Sequence, residues 1–516
     1  MDAQEFDPNV CYEAVQSRDA RFDGRFFVAV LTTGVYCRVS CRSRTPRREN
    51  VRFFPNGAAA RSAGFRPCRR CHPELLDPGA PPTAAVVPEA MGEVATARQE
   101  PGDPVGVEGL ARRLGWSPRH LQRLLASEAG LSPHDLLGFL RLHYAHRALR
   151  HQSSLTRVAD DAGYPSLRAL QGAVRRVYGI SPGALRSRLQ AGGDAGRFGP
   201  PLALELPFAG PFAARELIRF LAVRAVPGLE AGDPEGGWYR RALRLEHGLG
   251  RFTITVPAAL PTHVLPVMVE VEAVSDLPAL VRVLRNLCDL DADTSAIART
   301  LAHDPRLAAA VQAAPGLRVP GEVDGVEMAV RAVLGQQISV EAARTHTARL
   351  VDLYGTRISG ADDSVRVLFP TAQALAHAGP DLPGMALPAS RKRTLHGLAQ
   401  ALCDGTLPPL RRGADPDRVG TALERLYGVG PWTRAYIAMR ALGDPDAFLA
   451  GDLAVRQGYR LLYGREASTR ELEQLSESWR PFRAYATLHL WHALGPKTGA
   501  SRPSLTPKPT REVSLS

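Results

Sequence analysis

Lysine is almost missing from this chain. Only Lys392, Lys497 and Lys508 stand among 64 basic residues, so a mechanism that needs a reactive lysine has very few to choose from. No run of about 18 consecutive apolar residues occurs, so no membrane-spanning helix and no membrane partner are expected. The opening stretch MDAQEFDPNV is acidic and has no apolar core, which argues against a secretory signal and leaves the cytoplasm as the expected location. Cysteine is scarce too. Seven in 516 residues make no disulfide scaffold, and clustered thiols in a cytosolic setting point to metal or catalysis instead. The rest is ordinary globular material, 45% hydrophobic, which excludes wholesale disorder. At ~150 residues per domain, the length predicts three or four domains.

The net charge of +12 is unevenly placed. Residues 1–76 carry 13 Arg against 8 Asp/Glu, and residues 105–190 carry 13 against 5, so the remainder sums to −1. An excess confined to the first 190 residues suggests a polyanion partner, most simply nucleic acid. Residues 77–104 hold six prolines and no aromatic residue and read as a linker; residues 191–201 read as a shorter one, and 496–516 as a frayed tail. Three bodies remain: 1–76, 105–190 and 202–495. Flexible linkers predict no single fixed arrangement of them, and no coupling beyond shared attachment to a common ligand.

In the first body, Cys37, Cys41, Cys68 and Cys71 form C-x3-C, a gap of 26 residues, then C-x2-C. Two short loops offering two thiolates each is the spacing of a tetrahedral zinc site, and a body of this size needs such a staple. Cys11, Cys288 and Cys403 are isolated and read as packing or surface residues. The strings GVYCRVSCRSRTPRRENVRFFP and GFRPCRRCHPE resemble the N-terminal zinc domain of Ada-type alkylation-response proteins over nearly all of residues 8–76. The resemblance implies one Zn²⁺ and makes Cys37 the acceptor of a methyl group from a DNA methylphosphotriester. Four thiolates on Zn²⁺ carry −2. Methylation leaves −1, repulsion from phosphate falls, and a covalent scar becomes a DNA-binding signal. Arg42, Arg44, Arg47 and Arg48 are candidate phosphate contacts. Val39 stands where the family usually has proline. A purely structural zinc is the alternative.

The second body contains a repeat. Val107, Leu110, Ala111 and Leu114 have the spacing of a helix face, and Leu155, Val158, Ala159 and Ala162 repeat it 48 residues later. Gly130-Leu131-Ser132-Pro133 matches Gly179-Ile180-Ser181-Pro182. Each unit reads as helix, glycine-containing turn, helix. The pair resembles the AraC-type DNA-binding domain. Its recognition helices are expected near 118–128 and 167–177, entering major-groove turns roughly 34 Å apart. Arg119, Arg123, Arg168, Arg175 and Arg176 are its candidate base or phosphate contacts.

The third body begins with strand-like stretches in 202–275 and then turns helical. Gly428-Val429-Gly430 permits a tight turn whose N–H groups, at a helix N-terminus, suit a phosphate. Asp452 follows 22 residues after Gly430, and Trp432, Tyr436 and Trp491 are aromatics able to gather round a flat ligand, although each taken singly suits a core better than a pocket. The stretches PGLRVPGEVDGVEMAVRAVLGQQISVEAAR, LYGVGPWTRAYIAMRALGDPDAFLAGDLAVR and WRPFRAYATLHLWH resemble AlkA-type 3-methyladenine DNA glycosylases of the helix-hairpin-helix superfamily. The resemblance implies an α+β subdomain over 202–315 and an α-helical hairpin domain over 316–495. It makes Asp452 the catalytic carboxylate, Trp432, Tyr436 and Trp491 the base pocket, and Gly428 and Gly430 the DNA-gripping hairpin, with a monovalent cation on backbone carbonyls including those of Leu426 and Val429. Gln337 falls on the wedge that fills the gap left by a flipped base, where the prototype has an apolar residue. Bifunctional hairpin enzymes carry a Schiff-base lysine just after the hairpin, but Trp432 stands there, and Lys392 lies in an Arg-Lys-Arg stretch far off in sequence.

The fold class is therefore multidomain and mainly α: a small α/β zinc body with four cysteine ligands, an all-α double helix-turn-helix, and an α+β subdomain leading into a helical helix-hairpin-helix glycosylase domain. The expected activity is monofunctional excision of alkylated bases, fused to a methyl-accepting sensor and a transcription-regulator domain. Expected partners are double-stranded DNA, both alkylated and promoter, and RNA polymerase, with the protein a monomer. The alternative is a methyl-switched activator whose glycosylase body only reads damage. Direct reversal of O6-alkylguanine is rejected, since the nearest Pro-Cys string places Cys68 among the zinc ligands.

Overall fold

The computed structural model describes residues 7–75, 106–151, 154–191, 197–258, 260, 263–358 and 364–495. The expected linker at 77–104, the tail at 496–516 and residues 192–196 of the 191–201 linker lie outside the described residues.

In the first body, helix α1 (Pro8–Ser17) precedes strands β1 (Phe27–Val30), β2 (Val35–Cys37) and β3 (Val51–Phe54), then helix α2 (Gly57–Ser62) and strand β4 (Arg66–Pro67). The sheet order is β3-β1-β2-β4, with β4 parallel to β2. Its core is thin: Phe22, Phe26, Val28 and Val51 pack together with Cys37, Cys68 and Cys71.

The second body is two helix pairs and their connections: α3 (Val107–Arg113), α4 (Pro118–Ala129), α5 (Pro133–Ala148), α6 (Leu155–Asp161), α7 (Leu167–Tyr178) and α8 (Pro182–Gln190). The repeated Gly-x-Ser-Pro string is a stop followed by a start. Gly130 and Gly179 end α4 and α7 at φ +64° and +69°, and Ser132 and Ser181 cap the next helix ahead of a first-turn proline.

The third body opens with β5 (Leu202–Pro207), helix α9 (Ala214–Val223), β6 (Glu230–Asp233), β7 (Trp238–Arg244), β8 (Leu249–Thr255) and β9 (Val264–Val271), forming an antiparallel sheet of order β5-β9-β8-β7-β6. Burial alternates along β5 and β9, as expected of strands with one face on a core. Helix α10 (Leu277–Leu287) packs into the same core. A helical core follows, built from α11 (Thr294–Leu301), α12 (Pro305–Ala313), α13 (Gly325–Leu334), α14 (Val340–Tyr354), α15 (Ala372–His377), α16 (Ala389–Cys403), α17 (Pro416–Glu424), α18 (Pro431–Arg440), α19 (Leu453–Tyr463), α20 (Thr469–Ser476) and α21 (Arg483–His492). A buried ion cluster joins sheet to helices: Arg241 on β7 meets Glu230 (2.6 Å) and Glu327, and Arg331 meets both acids (2.8 and 2.7 Å). Against burial, which would raise it, Arg331 and Arg241 hold the Glu230 carboxyl down to about 2.

The three bodies touch, which corrects the expectation that linkers leave their arrangement open. Leu121, Leu125, Leu136 and Phe139 of the first helix-turn-helix unit share one core with Leu202, Leu204 and Leu206 of β5. Gly130 is essential there, because a Cβ would stand 1.9 Å from the Glu205 carbonyl oxygen. The second unit keeps its own core around Leu149, Val158, Leu170 and Val174. On the other side, Arg21 of the zinc body is buried. It donates to Asp19 and to the Tyr485 hydroxyl, and lies 3.5 Å from Asp289. Arg25 meets Asp444 at 2.9 Å, and Thr300 donates to Glu13 at 3.3 Å. Removing Arg21 leaves buried Asp19 without its ion pair, while Asp289 keeps Arg412 at 2.9 Å. Arg21→Ala is therefore expected to cost roughly 3 kcal/mol, read as a lower urea midpoint; an unchanged midpoint would show that this contact carries no stability.

Candidate active site and zinc cluster

Asp452 is the N-cap of α19, and its Oδ1 accepts the Val455 N–H at 2.9 Å. A cap uses one oxygen and explains the residue only in part. Two indoles complete the set: Trp491 Nε1 donates to Oδ1 and Trp432 Nε1 to Oδ2, each at 3.0 Å. Trp432 comes from the first turn of α18 and Trp491 from the last turn of α21, so three helices converge on one carboxylate. Trp432 stacks on Tyr436 one turn further along α18, with ring centroids 5.0 Å apart and planes at 11°. The Tyr436 hydroxyl accepts from Arg440 at 3.0 Å, and Arg440 donates on to the Gly321 and Pro320 carbonyls. Trp479, Tyr459 and Tyr485 are buried, whereas Trp432, Tyr436 and Trp491 are only half-buried. The structure thus brings together the carboxylate and the three aromatics as one open-faced site. It can hold a flat ring against the Trp432–Tyr436 stack and present a fixed carboxylate beside it.

The hairpin lies at the N-terminus of α18. Gly428 takes φ +77°, and a Cβ there would stand 2.3 Å from Thr394 Oγ1, so both conformation and space demand glycine. Gly430 is extended backbone with open space around it, serving as the N-cap before Pro431. The Leu426 carbonyl accepts the Val429 N–H at 3.2 Å.

Gln337 sits between α13 and α14, exposed, at φ +59°. A left-handed non-glycine residue costs on the order of 1 kcal/mol and needs holding. The neighbours hold it. Gln336 Nε2 donates to the Gly428 carbonyl and to Thr433 Oγ1, both at 2.9 Å, and Arg391 donates to the Gln336 carbonyl at 2.8 Å. Gln336 was missed in the sequence; its only signal is the Gln-Gln pair, of which the second residue is the expected wedge. Gln336→Ala is expected to loosen the wedge loop from the hairpin and to raise KM for a DNA substrate several-fold while leaving the carboxylate site intact. An unchanged KM would remove Gln336 from the site.

The Arg-Lys-Arg stretch is not remote from the hairpin in space. It forms the first turn of α16, where Arg391 reaches the wedge loop and Arg393 lies over the exposed Tyr427 ring at 4.9 Å. Lys392 is thus flanked by two residues that touch Gln336 and Tyr427.

In the first body, parallel pairing of Tyr36 with Pro67 sets the end of β2 beside the end of β4, and Cys68 N–H donates to the Tyr36 carbonyl at 3.0 Å. This register brings both loops together, and the sulfurs of Cys37, Cys41, Cys68 and Cys71 all lie within 4.8 Å of one another. Zn–S bonds of ~2.3 Å imply sulfur–sulfur edges of about 3.8 Å, so the quartet fits one tetrahedral ion. Cys37 is 7% exposed, and Cys41 is the most open of the four. Arg42, Arg44 and Arg47 reach solvent. Arg48 is half-buried and lies over the Tyr12 and Phe53 rings, at 5.8 and 5.6 Å, so it is less open than Arg42, Arg44 and Arg47. On the second body, Arg119 and Arg123 of α4 and Arg168, Arg175 and Arg176 of α7 reach solvent, opposite the buried faces of Leu121 with Leu125 and Leu170 with Val174.

Comparison with known proteins follows this division. Family models match residues 10–74 as the metal binding domain of Ada, 110–188 as a helix-turn-helix domain, 203–324 as the AlkA N-terminal domain, and 330–481 as the HhH-GPD superfamily of base excision DNA repair proteins. A Mycobacterium tuberculosis protein named probable bifunctional transcriptional activator/DNA repair enzyme AlkA is 44% identical over 490 residues, covering 94% of this chain and 96% of that protein. DNA-3-methyladenine glycosylase 2 of Escherichia coli is 33% identical over 286 residues, 55% of this chain and 95% of its own. The bifunctional transcriptional activator/DNA repair enzyme Ada of the same organism is 36% identical over 156 residues, 30% of this chain and 42% of its own.

Proposed function

The chain belongs to the family of AlkA-type bifunctional transcriptional activator/DNA repair enzymes, and on that premise we propose how its residues divide the work. It is a DNA repair protein with a 3-methyladenine glycosylase domain, an Ada-type zinc domain and a DNA-binding transcription-activator domain. The damaged nucleotide is flipped from the duplex, since its glycosidic bond is out of reach in the stack. Gln337 fills the gap, and the Gly428–Gly430 hairpin grips the flanking phosphate through main-chain N–H groups. A cationic alkylated base lies against the Trp432–Tyr436 stack, whose faces attract it. Asp452 stabilises the positive charge that develops on the sugar as the bond to the base breaks, and orients the attacking water. The observation that carries this reading is the pair of indole N–H groups that pin Asp452 between the aromatics.

At the zinc site, a Cys37 thiolate attacks the methyl carbon of a methylphosphotriester; the carbon–oxygen bond breaks and the phosphodiester anion leaves. Arg42 and Arg44 take phosphate contacts beside it, and Arg119, Arg123, Arg168, Arg175 and Arg176 bind the promoter. A monovalent cation at the hairpin would use the second lone pair of the Leu426 carbonyl and that of Val429. A cytoplasmic monomer meeting RNA polymerase at the promoter is the arrangement that suits an activator. Among the described residues, no helix is long and apolar enough to cross a membrane.

The test is free base released from N-methylated duplex DNA. Release of 3-methyladenine, with no protein–DNA adduct trapped by borohydride, is the expected result. A trapped adduct would assign a lyase step to a lysine, with Lys392 the first to examine. No release from folded protein would leave the third body a damage reader.

A further inference from the structure

Helix α5 joins the two helix-turn-helix units, and where it passes the sheet subdomain it walls a cavity of about 280 Å³. That is close to the lower size of small-ligand sites. His143 lines it, only 2% exposed, and its ring meets a backbone group of Glu272 without a well-aligned hydrogen bond at either nitrogen. The ring cannot retreat, because it packs directly on Gly199, where a Cβ would stand 2.3 Å from its Nδ1. Buried polar atoms left unmatched cost free energy and are rare in folded proteins.

The charges round the cavity do not balance. Glu272 is its one lining carboxylate, and it is taken by Arg197 and by the Leu249 N–H at 2.7 Å. His247 is engaged with Asp276 at 2.9 Å. Among the described residues, Arg147 and Arg150 have no ion-pair partner, and Arg150 Nε is buried without a hydrogen bond. Two uncompensated guanidiniums beside a buried, poorly bonded imidazole on one wall suit an oxyanion with several acceptor oxygens. We propose that this cavity is a phosphate-binding site, taking a phosphate group either free or on a DNA strand and clamping the second body against the third. Burial, with the neighbouring His146 and Arg147, pushes His143 down to about 4 against an opposing backbone contact with Glu272, so at neutral pH the ring is uncharged and the arginines supply the charge.

The experiment titrates inorganic phosphate into the full chain without DNA, followed by calorimetry, with chloride matching the ionic strength. If the site takes free phosphate, wild type binds saturably, Arg150→Gln weakens binding about tenfold, equivalent to 1.4 kcal/mol, and Arg147→Gln with Arg150→Gln abolishes it. If it takes a DNA phosphate, free phosphate does not bind, but the double variant lowers the salt dependence of duplex binding by about one counterion per lost contact. Either result supports the site and tells the sources apart. Arg147→Gln alone, at an exposed position, guards against misfolding of the double variant, and base release from N-methylated DNA reports that the third body is intact. Phosphate binding and DNA salt dependence unchanged in every variant would overturn the proposal.

Discussion

Asp452→Asn is expected to lower the rate of base release by about 10²–10³-fold, the scale on which removing one preorganised electrostatic group acts. The substitution is chosen because it spares the fold. Asparagine is as good an N-cap as aspartate, so the bond from the Val455 N–H survives and α19 keeps its start. The negative charge and one of the two acceptor oxygens are lost. Since Trp491 and Trp432 donate to different oxygens, one indole must give up its partner. The melting temperature should hardly move, because the carboxylate is half exposed and carries no ion pair among the described residues. Trp491→Phe separates orientation from charge: it removes one donor, keeps the carboxylate, and should cost less than Asp452→Asn. If Asp452→Asn releases 3-methyladenine at the wild-type rate, Asp452 is only a helix cap and the catalytic assignment is wrong.

Removing the zinc should have the larger structural effect, confined to one body. Structural zinc contributes on the order of 10 kcal/mol of folding free energy in small domains. Here three of the four ligands are part of the thin core that Phe22, Phe26, Val28 and Val51 form. Cys68→Ala is expected to abolish zinc binding, measured as metal per chain. It should also expose residues 7–75 to protease and release the Arg21 contact with Tyr485. Base release should persist, because every partner of Asp452 lies in the third body. Cys37→Ala should likewise leave excision on unmethylated-backbone DNA unchanged. A marked loss in either variant would mean that α21, which carries both Tyr485 and Trp491, transmits the state of the zinc body to the pocket. Digestion and mass mapping after reaction with a methylphosphotriester should place the methyl group on Cys37. A methyl on the more open Cys41 would overturn that assignment.

Much of this was readable because it is local. Cysteine spacing implies a metal whatever the rest of the chain does, and the β2–β4 register merely carries it out. The Gly-x-Ser-Pro repeat encodes one helix end and the next helix start within four residues. The absence of lysine after Gly430-Pro431 is likewise a local fact. The aromatic residues were different. Trp432, Tyr436 and Trp491 could not be told from Trp479 or Tyr459 by type or spacing, and only their half-exposure beside Asp452 separates them. Arg48 could not be told from Arg42 or Arg44, because its half-burial depends on Tyr12 and Phe53 being there to receive it.

Periodicity, capping and spacing among near neighbours were enough to pick out the thiol quartet and the paired helix-turn-helix units, whereas the role of the carboxylate came only with the resemblance to AlkA-type glycosylases. How the three bodies meet was settled only by the packed chain. It placed Arg21 against Asp289 and Tyr485, Gly130 against Glu205, Gln336 on the hairpin, and two arginines without acids round His143. The physical reason is range. A cap or a helix face is set by residues three or four apart, whereas burial and charge balance depend on partners up to hundreds of residues away, whose approach no local pattern records.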